Sequence, residues 1–512
     1  MRLLWAAGLM SILLAQSARS QGVIRLKTGS ISAAQAFGRV RRENPPGAVR
    51  HSLVLFNSYP DAAVRALLAA RRIHVLAYVP DNTLMVSSDA RLDLLGLDVA
   101  WSGPLDPGAK ISPALGGQTP AAYLLVFEPD ADLVEGRIFV QNQGFAVIEN
   151  PDLLPAQLLV SGPASGLPIL AGSDDVTYIL AASDDLIGSA PVLGCAGPLT
   201  EAGPVPEYAQ PIATWSPSSG GGITLGYFFD QLTEKLDVSQ QESEIARAFA
   251  AWAQYTNVTF TPAQQAQATR SIDILFASGP HGDGYPFDGP GGVLAHTFYP
   301  TPANTEPVAG NMHFDDSESW HVGSYVDLFS VALHETGHAL GLGHSDHPGD
   351  VMYPYYTYAT GLAAGDIAAI QAVYGATPGM VTPPSTGTTG TSGTGTSGTG
   401  TTGTGTSGTG TSGTGGTGTT ASSAPPALTI QSPASSMVSV SSATIAVSGT
   451  ASDSGAVTSV TWSTSNGYTG LAAGTTKWSA VVPLLTGSNV ITVRAYDAAG
   501  NASWRAVTVD KN

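Results

Sequence analysis

The chain has 512 residues, a formal net charge of −18 and a single cysteine. That length exceeds what one hydrophobic core organises and implies three or four units. The acidity argues against nucleic acid and anionic membrane surfaces as partners, and a lone cysteine excludes disulfides within the chain.

Residues 1–20 hold Arg2, an apolar run from Leu3 to Ala15 and the small-residue stretch Ala18-Arg19-Ser20, the pattern of a cleaved signal peptide. The run is shorter than the ~20 residues a bilayer requires, and no later segment is long and apolar enough to span. A secreted, extracellular protein without a membrane span is expected. Residues 21–212 form the next region. A strand at 52–56, an Ala/Arg-rich helix at 62–72 and strands at 73–78 and 98–101 make one α/β unit of about 51–108. Strands at 123–127, 145–148 and 175–178, with a helical stretch at 136–143, echo that order over about 121–187. Cys195 follows in Val192-Leu193-Gly194-Cys195-Ala196-Gly197-Pro198. It reads either as a small buried hydrophobe or as a ligand.

The chemistry is concentrated in residues 213–376. Ile245, Phe249 and Trp252 fall at helical spacing behind Ser239, which reads as a cap with Glu242 three residues on. His281, Asp283, His296 and His313 supply three imidazoles and one carboxylate, enough to close a tetrahedral structural zinc site with no position left for water. Farther on stands His334-Glu335-Thr336-Gly337-His338, followed by Gly341, Gly343 and His344. On a helix, positions i and i+4 share a face, so His334 and His338 converge on one point and Glu335 can reach a water bound to the same metal. His344 would lie roughly 9 Å beyond His338 on a continuing helix. Gly341 and Gly343 are therefore expected to end the helix and turn the third imidazole back. Three histidines, an open coordination position and a nearby carboxylate describe a catalytic zinc site. Val326, Phe329, Leu333 and Leu340 mark the core-facing stripe that such a helix needs.

From 377 to 426 the chain is a Thr/Gly/Ser repeat with almost no apolar side chains, a flexible tether by composition. Residues 427–512 alternate as strands do, with Ile491, Val493 and Ala495 against Thr492, Arg494 and Tyr496, and turn signals recur at short intervals. An all-β sandwich is expected there.

The histidine motif followed by Met352 in Asp350-Val351-Met352-Tyr353-Pro354 is the metzincin signature. Ser345 after the third histidine and Tyr355-Tyr356 after Pro354 resemble the matrixin branch, the matrix metalloproteinases, over about 215–375. The stretch from His281 to His296 is similar to the structural-metal loop of that family. The resemblance implies an α+β catalytic domain, a twisted mixed sheet carrying the active-site helix. It implies Ca²⁺ held by Asp288, Gly289, Gly291, Val293, Asp315 and Glu318. A second calcium site lacks its aspartates, since Ser271 and Asn311 stand there. Leu294 and Ala295 would line the sheet edge on which substrate lies as an added strand. Pro354 and Tyr356 would wall the pocket beyond the scissile bond, and Met352 would form a floor beneath the zinc. Matrixins are often kept latent by a cysteine on the zinc, which is what the position of Cys195 suggests, although the residues around it depart from the family pattern. The α/β repeats before it look like prodomains of secreted proteases, and residues 427–512 resemble bacterial immunoglobulin-like modules.

The sequence thus reads as a secreted zinc endopeptidase that cuts extracellular proteins or peptides, uses Glu335 as general base and is made as a latent precursor. Its C-terminal module is open to a surface or polymer ligand. The rival reading is a non-enzymatic adhesin or surface-binding protein built on a protease-like scaffold. An intact Glu335 counts against that rival.

Overall fold

A computed structural model of the chain describes residues 23–32, 49–377 and 426–511, apart from short gaps at 118, 189–191, 211–213, 218–221, 325, 435–436, 454–455, 465–467 and 498–501. The expected signal peptide, nearly all of the Thr/Gly/Ser tether and parts of three turns expected in the C-terminal module lie outside the described residues. Among the described residues, no helix is long and apolar enough to cross a membrane.

The N-terminal region opens on a hairpin of β1 (Val23–Leu26) and β2 (Gly29–Ser32). Two four-stranded sheets follow. The first contains β3 (Arg50–Phe56), β4 (His74–Val79), β5 (Thr83–Ser88) and β6 (Val99–Gly103), in the order β4-β5-β3-β6. The second contains β7 (Tyr123–Phe127), β8 (Ala146–Ile148), β9 (Gln157–Ser161) and β10 (Val176–Ala181), in the order β10-β7-β9-β8. Matched strand for strand, the two orders are identical, and every neighbour is antiparallel. A helix follows the first strand of each unit, Ala62–Ala70 or Leu133–Asn142, so both units have the split βαβ arrangement. Periodicity missed β5 and β9. Both are buried along almost their whole length with their polar residues only at the ends, so they carry no alternation to read.

The central sheet has seven strands in the order β12-β11-β16-β17-β15-β13-β14. Its strands are β11 (Gly194–Thr200), β12 (Gly203–Pro204), β13 (Ile223–Gln231), β14 (Val258–Pro262), β15 (Ser271–Ala277), β16 (Val293–Phe298) and β17 (Met312–Asp315). The sheet is mixed, with β11 parallel to β16 and β16 antiparallel to β17. Helix Val238–Ala253 buries Ile245, Ala248, Phe249 and Trp252, the i, i+3, i+4, i+7 face. Its N-cap is Asp237, not the expected Ser239, which lies inside the helix. This face packs on helix Leu328–Ala339, which is buried along its whole length and capped by Asp327 accepting from Ser330 N at 3.0 Å. A third helix, Ala364–Tyr374, closes the domain.

The C-terminal region is all β, with a three-stranded and a five-stranded sheet. Val447, Trp478 and Val482 from one sheet and Val460, Ile491, Val493 and Val507 from the other share a single core, which makes it a sandwich.

Candidate active site

Helix Leu328–Ala339 presents His334 and His338 from successive turns, and their Nε2 atoms lie 3.1 Å apart. The helix ends where expected. Gly341 takes φ +94°, and its N–H donates to His338 O at 2.8 Å while Leu342 N donates to Gly337 O at 2.9 Å. Gly343 is not in the left-handed region, so Gly341 alone makes the turn that the sequence had assigned to both glycines. The turn also orients the rings. Nδ1 of His334 faces Val351 O at 2.6 Å, and Nδ1 of His338 faces Leu342 O at 2.7 Å. A carbonyl only accepts, so each Nδ1 carries the proton and each Nε2 offers a bare lone pair. Two such lone pairs facing at 3.1 Å repel unless a cation lies between them. His344 joins them, its Nδ1 2.7 Å from Glu207 Oε1 and its buried Nε2 without a hydrogen-bond partner.

Burial favours the neutral form of the two helix histidines. It drives the His334 pKa down to about 3, aided by His344, and lowers that of His338. Neutral imidazoles are the ligand form. The fourth donor is Cys195, with donor atoms of all four residues within 4.8 Å of one another. Burial, then Glu335, holds the thiol well above its usual range, and a cation among these groups inverts that preference. Cys195 thus lies beside the position expected to be open. It lies on β11, which runs beside β16. Gly194 N donates to Gly292 O at 2.9 Å, Cys195 N to Pro354 O at 3.0 Å and Tyr356 N to Leu193 O at 2.7 Å. Residues 193–195 therefore occupy the groove between the β16 edge, with Leu294 and Ala295, and the wall of Pro354 and Tyr356. Beneath them lies a small recess lined by Leu294, Val331, His334, Glu335, Tyr353 and Tyr356.

Glu335 is buried. Its Oε2 accepts from Thr297 Oγ1 at 2.7 Å and its Oε1 has no partner. Burial raises its pKa to about 7, partly countered by Thr297. Met352 sits under the helix. A Cβ at Gly337 would collide with its Sδ and crowd Trp252, so glycine packs best where the motif has a variable position.

The second cluster is equally tight. Asp283 Oδ2 lies 2.9 Å from His281 Nε2, 2.7 Å from His296 Nε2 and 2.9 Å from His313 Nδ1. The ring nitrogens of His281 and His313 approach to 3.2 Å, and those of His296 and His313 to 3.3 Å. Burial opposes the charge on Asp283, but hydrogen bonds from His296 and His313 hold its carboxyl well below the usual range. Both donor sets suit Zn²⁺, four N, O or S atoms around one point. Nearby, Glu318 Oε1 accepts from Gly291 N at 2.5 Å and Asp288 Oδ1 from Val293 N at 3.3 Å, while Asp315 Oδ2 is buried without a partner. Burial, then Asp315 and Asp288, raises Glu318 to about 7. At the suggested second calcium site, Asn311 Oδ1 instead accepts from Asp273 N at 3.0 Å.

Sequence reasoning missed Glu207, Lys27 and Thr297. Glu207 lies in a proline-punctuated segment without periodicity, and only the folded chain brings it to His344.

The helix, the mixed sheet and the three-histidine cluster define a metzincin-type zinc-protease domain. Residues 214–375 match the family model of the matrixins. Residues 426–512 match glucodextranase, domain B, and 25–106 a domain of unknown function. Karilysin of Tannerella forsythia is 44% identical over 135 residues, 26% of this chain and 28% of that protein. Interstitial collagenase of Bos taurus is 41% identical over 175 residues, 33% and 36% of the two chains. Macrophage metalloelastase of Rattus norvegicus is 44% identical over 151 residues, 28% and 31%. The chain thus spans about a third of the length of these curated relatives, and the shared part is a matrixin-like catalytic domain.

Proposed function

We propose that this chain is a secreted zinc endopeptidase of extracellular proteins, made as a latent precursor. The observation that carries the reading is the pair of unprotonated imidazole nitrogens of His334 and His338 held 3.1 Å apart beside a partnerless His344 Nε2. A zinc ion bound by these three rings supplies a Lewis acid at the scissile carbonyl. Glu335 does the proton work. Its free Oε1 accepts a proton from the attacking water and returns it to the leaving amine, while Thr297 holds the other oxygen still. The backbone of Leu294 and Ala295 receives the substrate as an added strand. Pro354 and Tyr356 wall the recess that takes the side chain after the cut bond.

In the precursor, Cys195 fills the fourth ligand position and β11 fills the substrate groove, so binding and chemistry are blocked together. The cluster of His281, Asp283, His296 and His313 has no place for water and serves as a structural zinc site. Asp288, Asp315 and Glu318, with carbonyls of Gly289, Gly291 and Val293, form a calcium site; the clustered carboxylates support a hard cation. The C-terminal sandwich is an immunoglobulin-like module that tethers the enzyme to a surface or polymer.

Casein hydrolysis tests the reading on processed protein, comparing wild type with Glu335→Ala, each with and without a zinc chelator. The variant is expected to lose on the order of 10²–10⁴ in rate, and chelation to stop the wild type. Equal hydrolysis by both proteins would remove Glu335 from the reaction.

A further inference from the structure

The three candidate ligands of the active site are not held alike. His334 and His338 are oriented by carbonyls of Val351 and Leu342, which belong to the catalytic domain itself. His344 is oriented by the carboxylate of Glu207, 2.7 Å from its Nδ1. Glu207 precedes the matrixin-like segment at 214–375 and belongs to the N-terminal region. Its segment is strapped down by the β1–β2 hairpin. Leu26 bridges to Ala209, Lys27 N donates to Tyr208 O at 2.9 Å and Gln210 N to Arg25 O at 3.1 Å. The hairpin is in turn fixed to the chain just past His344. Lys27 Nζ meets Asp346 Oδ1 at 2.6 Å, and Asp346 Oδ2 accepts from Ser112 Oγ at 2.5 Å and Tyr178 O–H at 2.6 Å. Lys27 Nζ also stands 3.9 Å from Glu207.

We infer that Glu207 is a positioning residue through which the N-terminal region tightens the hold of His344 on the active-site metal. The inference rests on the zinc reading above. A carboxylate behind an imidazole fixes the ring and its tautomer and makes the distal nitrogen a stronger donor than a carbonyl does. The precursor therefore grips its metal with two groups that the catalytic domain lacks, the Cys195 thiolate and the Glu207 carboxylate. Removing the N-terminal region takes away both, opening one position and loosening a second ligand. The N-terminal region is then a device for retaining metal as well as for blocking the groove.

The test uses the full-length chain loaded with Co²⁺, titrated with a competing chelator, for wild type, Glu207→Gln and Glu207→Ala. The thiolate-to-cobalt absorption reports the site containing Cys195, and total metal reports the second cluster. Glu207→Ala is expected to weaken the thiolate-marked ion by roughly 10–100-fold and leave the ion at His281, Asp283, His296 and His313 in place. Glu207→Gln keeps an acceptor without the charge, and its loss falls between the two. Equal affinities in wild type and Glu207→Ala overturn the inference alone. Parallel loss of both ions in both variants makes Glu207 an ordinary structural residue and overturns it too. A wild-type chain with no thiolate-marked ion overturns the zinc reading and the inference with it.

Discussion

At the His281 cluster a carboxylate sits among three imidazoles, and all four donors come from one irregular loop and two adjacent strands. At the His334 cluster two imidazoles come from a helix and one from the turn after it, and the anionic donor is a thiol on a strand that enters from the N-terminal region. The first arrangement is complete within its own domain. The second is complete only while β11 lies in the groove. A donor that arrives on a separable segment makes a site that can be opened, which a structural site never needs. A third group, His51 with Asp174 and Asp175, also gathers potential ligands. Its imidazole has both nitrogens engaged, Nδ1 by Asp174 at 3.1 Å and Nε2 by Asp130 at 2.9 Å. That geometry suits a proton. It joins β3 of the first N-terminal unit to the second unit as an ion cluster around a buried imidazole.

The sharpest way to break the contrast is Cys195→Ala. Without the thiol the precursor is expected to process itself faster by roughly tenfold or more, since about 1.4 kcal/mol of lost ligand binding already has that effect. A time course of precursor disappearance on a gel reads it, and unchanged latency would reduce Cys195 to a packing residue. Asp283→Ala should act on stability instead. Stripping one partner from a buried charged cluster costs about 3–5 kcal/mol, so the denaturation midpoint falls while the thiolate-marked site still binds metal. A smaller effect is expected for Gly337→Ala, which forces a methyl against Met352 Sδ and costs about 1–3 kcal/mol; a midpoint equal to wild type would contradict the packing of the methionine turn.

The smallest effect concerns the protonated cluster. Burial opposes the charge on His51, but Asp174, then Glu128 and Asp130, raises its pKa to about 9. Burial raises the neighbouring Glu128 to about 7. A raised histidine contributes stability that is full below its ordinary pKa of 6.5 and lost as pH climbs through about 9. A raised carboxyl likewise weakens the fold as it ionises, so both groups act in one direction. Thermal melts of the full chain are expected to show stability falling between pH 6.5 and 9, and His51→Gln to flatten that slope. A slope unchanged in the variant would move the pH sensitivity elsewhere.

Much of the site was legible because its chemistry is local. His334, Glu335 and His338 share a helix whose period fixes their common face, and Gly341 announces the turn to His344. His281, Asp283, His296 and His313 could be grouped because their residue types suit one metal. The cap at Asp237 was misplaced by two residues, since Asp and Ser are both favoured capping residues and the backbone alone decides where the helix starts. The buried strands β5 and β9 escaped because uniform burial erases alternation.

By itself, the sequence determined which atoms can bind a metal, since ligand spacing on one helix is a matter of covalent geometry. It also set the class of each region through composition. Only the tertiary structure decided that Cys195 joins the three histidines, that Leu193 to Cys195 lie between the β16 edge and the segment of Pro354 and Tyr356, and that Glu207 stands behind His344. These contacts join residues about a hundred positions apart or more, and no local pattern encodes them because a strand pairs, and a buried carboxylate finds its imidazole, only when the surrounding core has brought the two segments together.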